Sequence, residues 1–482
     1  MHAVTSHCNE RVIEYSRALP SLPARLAEQD SFLGVLIMKK QHRFKAALAG
    51  AIAAAAVSTA LGAEGPVPQG VGHLDHVFLI MMENHAFAQV LGNPNMPFYN
   101  GYAGRVNLAT NYFAVGHPSL TNYLEIVGGS NFGIRDDNSP NWHSTKCATN
   151  LSHGFVNLES VLTPICPIAG TGTDAETPAL DCTNEPNPPG NPETGVGCDI
   201  DVDGKVSYPA VTNTTGKTIA DQLVENGLSW KAYEESLPPT GADEVNTADG
   251  LFSSLNLIAN PPVPPATVST TSNFTIPVLG GNETGTVNGT VQGLYAVKHN
   301  PFAYFADVQE GTDDRNSLQN IVGFGGTNGL FGDLARGELP NLVYIVPNQC
   351  NDQHGRGGAT AGPECDYDPN DNGTLVGLNP ALMYEGDQAL ERLITAIKSS
   401  PAWSRGNNAI VIVWDENDYS VNPTTNQVAL TVDTNHPSDN GFKSDRFYTS
   451  FSLLKSMEAG FGLRCLNHAC DRSTQVMSDL FR

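Results

Sequence analysis

Two adjacent pairs of oxygen-bearing side chains, Glu83 with Asn84 and Asp415 with Glu416, each follow directly on an apolar run. Three carboxylates and an amide brought together repel one another unless a cation sits among them. Hard oxygen donors favour Ca2+, Mg2+ or Mn2+ over Zn2+, so the two pairs predict one oxygen-ligated divalent metal ion. An acidic pair after a strand is also a common solvated turn or helix cap. It is the joint pattern of the two pairs that points to a metal.

A third group lies in "GHPSLTNYLEIVGG", Gly116 to Gly129. Ser119 follows Pro118 at the expected start of a helix, where unpaired backbone N–H groups and a partial positive charge attract phosphate oxygens. Such a place also favours an alkoxide nucleophile, the more so beside a metal. The same residues admit an ordinary cap, with Ser119 capping the helix or Asn122 and Glu125 forming a capping box. His117 reads either as a residue beside the site or as a packing histidine.

These groups need elements that bring them together. Three apolar runs, "HVFLIMMEN" from His76, "NLVYIVPNQCNDQHG" from Asn341 to Gly355 and "AIVIVWDENDYS" from Ala409 to Ser420, read as buried parallel strands. Ligands of open α/β sheets bind beyond the carboxyl ends of the strands, so the polar endings of all three can share one site. Helical spacing predicts helices over 119–127, 217–227, 379–399 and 448–460. The expectation is an α/β fold with a mostly parallel central sheet flanked by helices. Between 165 and 295 the chain is rich in Pro, Gly, Thr and Asn with β-type alternation, and reads as an inserted, disulfide-pinned, β-rich cap.

The chain of 482 residues carries 47 Gly, 32 Pro and a formal net charge of -24, which suits a loop-rich globular protein and excludes nucleic acid as a partner. Residues 38–63 combine a basic stretch, an Ala-rich run and small residues up to Ala63, the order of a secretory signal. Met38 then reads as the start, residues 1–37 as a mis-called extension, and 64–482 as a single domain exported to the periplasm or outside the cell, without stable membrane insertion. Leaving out Cys8, the eight cysteines of the exported chain predict four disulfides, with Cys350 to Cys365 and Cys465 to Cys470 the shortest loops to close. Two acidic stretches, Asp199–Lys205 and Asp366–Thr374, begin like calcium loops but carry Ala210 and Asn379 at the twelfth position. They read first as solvated turns, with additional structural Ca2+ as the alternative.

In their order, "MMENHAF", "HPSLTNYLEIVGG", "KHNPFAYF", "PNQCNDQHG" and "VWDENDYS" resemble the phosphoesterase family of bacterial acid phosphatases and phospholipases C, within the alkaline phosphatase superfamily. The resemblance spans about residues 72–460 and implies an alkaline-phosphatase-like fold. It implies metal binding by Glu83, Asn84, Asp415 and Glu416, and a nucleophile at Ser119 followed at three residues by Asn122. It also implies that His299, Asp352 and His354 belong to the site. Asn417 stands where the phospholipases have the His of Asp-Glu-His-Gly-Gly, and Ser450 where many relatives have the His of a Tyr-x-His pattern.

Residues and resemblance together predict a secreted, metal-dependent phosphoric ester hydrolase. A phosphate ester is expected to lie against Asn122, Asp352, His354 and the helix N-terminus, Ser119 to attack in line, and His299 or His354 to protonate the leaving oxygen. The substrate is a small phosphate ester or a phospholipid head group. Acid-phosphatase-like monoester hydrolysis is the first expectation. A phospholipase C-type phosphodiesterase and a non-catalytic calcium-binding protein on the same scaffold are the alternatives.

Overall fold

His76–Met82 is apolar from Val77 onward and wholly buried there, as a strand covered on both faces must be. It forms β1, near the middle of an eight-stranded sheet. The other strands in chain order are β2 Asn107–Ala109, β3 Trp230–Glu234, β4 Ile321–Val322, β5 Leu342–Val346, β6 Asn408–Trp414, β7 Leu430–Thr434 and β8 Lys443–Ser444. Across the sheet they run β8, β2, β7, β6, β1, β5, β3, β4. Pairing is parallel from β6 through β4 and between β8 and β2, and antiparallel on both sides of β7. The fold is thus α/β with a mixed, mostly parallel sheet.

The computed structural model describes residues 63–134, 136–146, 164–174, 208, 210–246, 284–287, 290–356, 365–368, 375, 377–417, 425–436 and 441–482. The chain divides after Val57, and all of these residues lie in the second unit, Ser58–Arg482. The extension 1–37, the signal segment apart from Ala63, the Asp199–Lys205 stretch and most of Asp366–Thr374 fall outside the described residues.

Four helices follow the expected periodicity: α1 Ser119–Gly128, α2 Ile219–Glu225, α3 Pro380–Ser399 and α4 Ser450–Phe461. All ten residues of α1 are buried, and it packs against α4. It stops at Gly129, whose φ of 70° is left-handed and where a side chain would press on the Leu466 carbonyl. Asn379 caps α3 through its side chain, which accepts from Ala381 N and Leu382 N. Asp368, in the second calcium-like stretch, binds His85 Nε2 (2.7 Å) with one carboxylate oxygen and the Asn379 backbone N–H with the other. Both oxygens therefore serve the helix start and His85.

The reading of 165–295 as one inserted cap needs correcting. Paired strands do occur there, Thr171–Gly172 with Thr214–Thr215 and Thr284–Val287 with Thr290–Gly293. Helix α2 and strand β3, however, fall in the same stretch, and β3 pairs in parallel with β5 and β4. Five residues are too few to stand out by periodicity among Pro and Gly, and it is the pairing of Trp230, Ala232 and Tyr233 within the core that fixes them. Both short disulfides form, Cys350–Cys365 and Cys465–Cys470, and Cys166 is also disulfide-bonded.

Candidate active site

Parallel pairing in register places Met82 beside Trp414, so that Glu83 and Asp415 leave the sheet side by side. The Asp415 N–H donates to the Met82 carbonyl (2.9 Å), and the Asn84 N–H donates to Asp415 Oδ1 (3.0 Å). Strand β5, the other neighbour of β1, sends its following loop back across this end, where the Asp352 carbonyl accepts from the Glu83 N–H (2.9 Å). Asn84 turns with a φ of 43°, a left-handed conformation that Asn tolerates, and Gln353 with 81°. Gln353 is held by Trp414 Nε1 (3.0 Å) and the Met383 carbonyl (2.9 Å). It lies so close on α3 that a side chain at Gly386 would collide with it.

Ser119 enters this group from the first residue of α1. Its Oγ is fully buried, 3.1 Å from Glu83 Oε2 and 3.3 Å from Glu416 Oε1, and donates to these carboxylates rather than capping its own helix. The capping box is absent as well. Asn122 Oδ1 accepts from Val115 N (3.2 Å) and Gly116 N (3.0 Å), while Nδ2 donates to the Gly116 carbonyl (2.8 Å) and Glu416 Oε2 (2.9 Å). The free N–H groups expected at the helix start are partly taken, because Asp137 Oδ1 accepts from Leu120 N (3.0 Å). His117 lies beside the group, with Nδ1 2.9 Å from Glu416 Oε2.

On the far side of Glu83 stand the histidines. His299 Nε2 is 3.2 Å from Glu83 Oε1 and its Nδ1 is 3.3 Å from Asp352 Oδ2. Tyr123 stacks on the His299 ring and donates its hydroxyl to Glu83 Oε1 at 2.5 Å. His354 Nδ1 sits 2.8 Å from the Gly355 carbonyl, and its backbone N–H donates to Asp352 Oδ1 (2.7 Å). The structure thus brings together Glu83, Asn84, Ser119, Asn122, His299, Asp352, His354, Asp415 and Glu416, all of them buried. Lys298, Asp137 and Tyr123 join them without having been singled out by sequence. Lys298 stands next to His299 in "KHNPFAYF", and Tyr123 next to Asn122 in "GHPSLTNYLEIVGG", one helical turn after Ser119, which were their available signals; Asp137 offers none, since only tertiary packing brings it here.

Ser450, at the place of a relative's histidine, is buried and accepts from the Tyr112 hydroxyl at 3.4 Å. Asn417 donates its side-chain amide to the Thr425 carbonyl (2.7 Å) and its backbone N–H to Asn426 Oδ1 (2.8 Å), so it pins its own loop.

The donor set can be tested against a divalent cation. Burial pushes the Glu83 and Asp415 carboxyls well above the usual range, and repulsion from Asp415 on the one and from Glu416 on the other adds to it; Lys298 pulls both back. Asp415 Oδ2 has no hydrogen-bond donor among the described residues. The end of the Asn84 amide lies 3.1 Å from both Glu83 Oε2 and Glu416 Oε1. A nitrogen there donates to two carboxylates; an oxygen there completes a buried cage of oxygen donors. The residues fit a hard cation. A second group, Glu83, His299 and His354, also offers ligand atoms within 4.8 Å of one another. There the Lys298 ammonium stands 3.2 Å from His354 Nε2, which opposes another positive charge.

Residues 93–365 match the model of the Phosphoesterase family. Over 97 residues the chain is 32% identical to a phosphatidylinositol-3-phosphatase of Mycobacterium tuberculosis, a match covering 20% of this chain and 32% of that one. It is 20% identical over 390 residues to an acid phosphatase of Aspergillus fumigatus, covering 81% of this chain and 55% of the relative. A phosphate-repressible acid phosphatase of Penicillium chrysogenum is 20% identical over 359 residues, 74% of this chain and 53% of that. The chain spans about half the length of these acid phosphatases and a third of the mycobacterial protein. A solved protein of the alkaline phosphatase superfamily from Vibrio parahaemolyticus aligns at 12% identity with a TM-score of 0.40, covering 86% of this chain and 74% of that chain.

Proposed function

We propose a function from one premise, that this chain belongs to the phosphoesterase family: it is an exported hydrolase of phosphate monoesters that works through a phosphoserine on Ser119. The observation that carries the reading is the Ser119 hydroxyl. It starts a buried helix, yet is turned away from the helix backbone and toward Glu83 and Glu416. A cap would face its own N–H groups, and a packing serine has no need of two carboxylates.

A divalent cation held by Glu83, Asn84, Asp415 and Glu416 would lend positive charge to the phosphoryl oxygens and to the Ser119 oxygen. Ca2+, Mg2+ and Mn2+ suit this all-oxygen set better than Zn2+. Ser119 then gives its hydroxyl proton to Glu83 or Glu416, to which it is hydrogen-bonded, and Oγ attacks phosphorus in line; its bond to phosphorus forms as the bond to the leaving oxygen breaks. His299, set between Glu83 and Asp352, delivers the proton that the leaving alcohol needs. Water attacks the phosphoserine, releasing inorganic phosphate and the serine. Asn122, with one amide hydrogen on the Gly116 carbonyl and the other on Glu416, ties that carboxylate to the loop before α1. Asp352 acts as the orienting partner of His299 and His354 rather than as the direct phosphate ligand expected from sequence.

The acid phosphatase relatives favour a small monoester. The mycobacterial relative keeps a phosphorylated lipid head group as the second reading, and a phospholipase C-type diesterase is the third. Export rests on residues 38–63 and the short disulfides; among the described residues no helix is long and apolar enough to cross a membrane. The test is hydrolysis of p-nitrophenyl phosphate by the chain from Glu64, after chelation and with each divalent cation restored. Activity that vanishes and returns with one cation supports the reading. Inactivity with every cation, alongside release of phosphocholine from phosphatidylcholine, replaces it with the diesterase.

A further inference from the structure

We propose that Lys298 is a catalytic residue whose ammonium holds an oxygen of the transferred phosphoryl group beside Ser119, with Asp137 as its positioning residue. The inference rests on Ser119 being the nucleophile.

Lys298 is completely buried, and a buried ammonium is costly unless its charge is matched. Its Nζ donates to Asp137 Oδ2 (3.1 Å), approaches Ser119 Oγ (3.5 Å) and lies 3.2 Å from His354 Nε2. Glu83 and Glu416 lie against the same hydroxyl, at 3.1 and 3.3 Å. A phosphoryl group arriving at Oγ carries charged oxygens that cannot face bare carboxylates. They need positive partners, and Lys298 is one that the chain itself supplies.

Asp137 is placed to aim that charge. One carboxylate oxygen takes the N–H of Leu120, the residue after Ser119, and the other takes Lys298 Nζ, so a single group ties the start of α1 to the ammonium. His354 completes the arrangement: with Nδ1–H given to the Gly355 carbonyl, its Nε2 lone pair accepts from Lys298. The ammonium then stands against the histidine nitrogen that a second metal ion would need, and takes the place of that ion.

The experiment compares wild type, Lys298→Met, Lys298→Arg, Asp137→Asn and Ser119→Ala, each loaded with the activating cation and checked for a cooperative melt. It measures kcat and KM for p-nitrophenyl phosphate, the binding of inorganic phosphate by calorimetry, and bound metal per chain. Lys298→Met is expected to lose about 100-fold in kcat, as for removal of one donor to a developing charge. It should bind inorganic phosphate about 10-fold more weakly, with bound metal unchanged at one ion. Lys298→Arg is expected to recover most of the phosphate affinity, because the charge remains, and Asp137→Asn to lower kcat with little change in phosphate affinity. A folded Lys298→Met with wild-type kcat and phosphate affinity overturns the proposal and leaves the Ser119 reading standing. Ser119→Ala with wild-type turnover overturns that reading instead, and the proposal with it.

Discussion

The backbone N–H of Asn84 donates to the carboxylate of Asp415 at 3.0 Å, tying the end of β1 to the end of β6. Two chain segments more than three hundred residues apart are thereby locked where their acidic side chains meet. The neighbouring carboxylates repel, so the fold holds them together against their own charge. Metal removal is therefore the first prediction. Chelation should lower the midpoint of thermal unfolding, and the activating cation at about 100 times its dissociation constant should restore about 2.7 kcal/mol. Asp415→Ala should abolish that recovery. A midpoint indifferent to chelator and cation would leave the cage without a metal.

Tyr123 reaches Glu83 from α1 and stacks on His299 with the rings 5.3 Å apart. Removing its hydroxyl leaves the ring stack intact but takes a hydrogen bond from one oxygen of the carboxylate proposed to bind the metal. Tyr123→Phe should therefore weaken metal binding about 10-fold, the lower end of what a lost supporting hydrogen bond costs. Titration calorimetry with the activating cation reads this directly. Unchanged affinity would mean that Glu83 is positioned without Tyr123.

The disulfide Cys350–Cys365 brackets Asp352 and His354 and closes a loop of 15 residues. Cross-linking of this length contributes about 3 kcal/mol by restricting the unfolded chain. Cys365→Ser, with Cys350→Ser to avoid a stray thiol, should lose about that much stability. It should lower kcat as well, because the loop that carries His354 loosens. A stability loss without any change in kcat would show that the loop's hydrogen bonds, Gln353 to Trp414 and Asp352 to Glu83 among them, hold His354 without the disulfide.

His468 gives a pH prediction away from the site. Burial alone pulls its imidazolium down, but the carboxylates of Asp174, 3.5 Å from Nε2, and Asp471, hydrogen-bonded to Nδ1, outweigh this and raise it from 6.5 to about 9. The folded state then holds more protons than the unfolded one between these values, so stability is full below about pH 6.5 and falls as pH rises toward 9. The loss is on the order of 3 kcal/mol. Urea unfolding at a series of pH values should show this slope in wild type and a flatter one in His468→Gln. Equal slopes would remove His468 as the source.

Much of this was legible in the sequence, for reasons that differ from residue to residue. Strands β1, β5 and β6 are unbroken apolar runs, and only a sheet covered on both faces makes use of such runs. The pairs that come after β1 and β6 are informative because carboxylates seldom cluster without a cation. Whether Ser119 was a cap or part of a site could not be decided locally, since both uses need a hydroxyl at a helix start; its contacts with the buried Glu83 and Glu416 support the proposed site role. Strand β3 was hidden because five residues amid Pro and Gly show no period. Asp137 was hidden because a buried ion pair has no local signature, and Lys298 had only its place beside His299 in "KHNPFAYF" to mark it. His299, Asp352 and His354 came from likeness to relatives, and their mutual contacts are visible only in the fold.

The most direct measurement is a rapid acid quench of the metal-loaded chain during turnover of p-nitrophenyl phosphate, then mass spectrometry of its peptides. Phosphate on the peptide carrying Ser119, absent from Ser119→Ala and lost on chelation, is the predicted result. Continued turnover in Ser119→Ala, or covalent phosphate on another residue, would contradict the account.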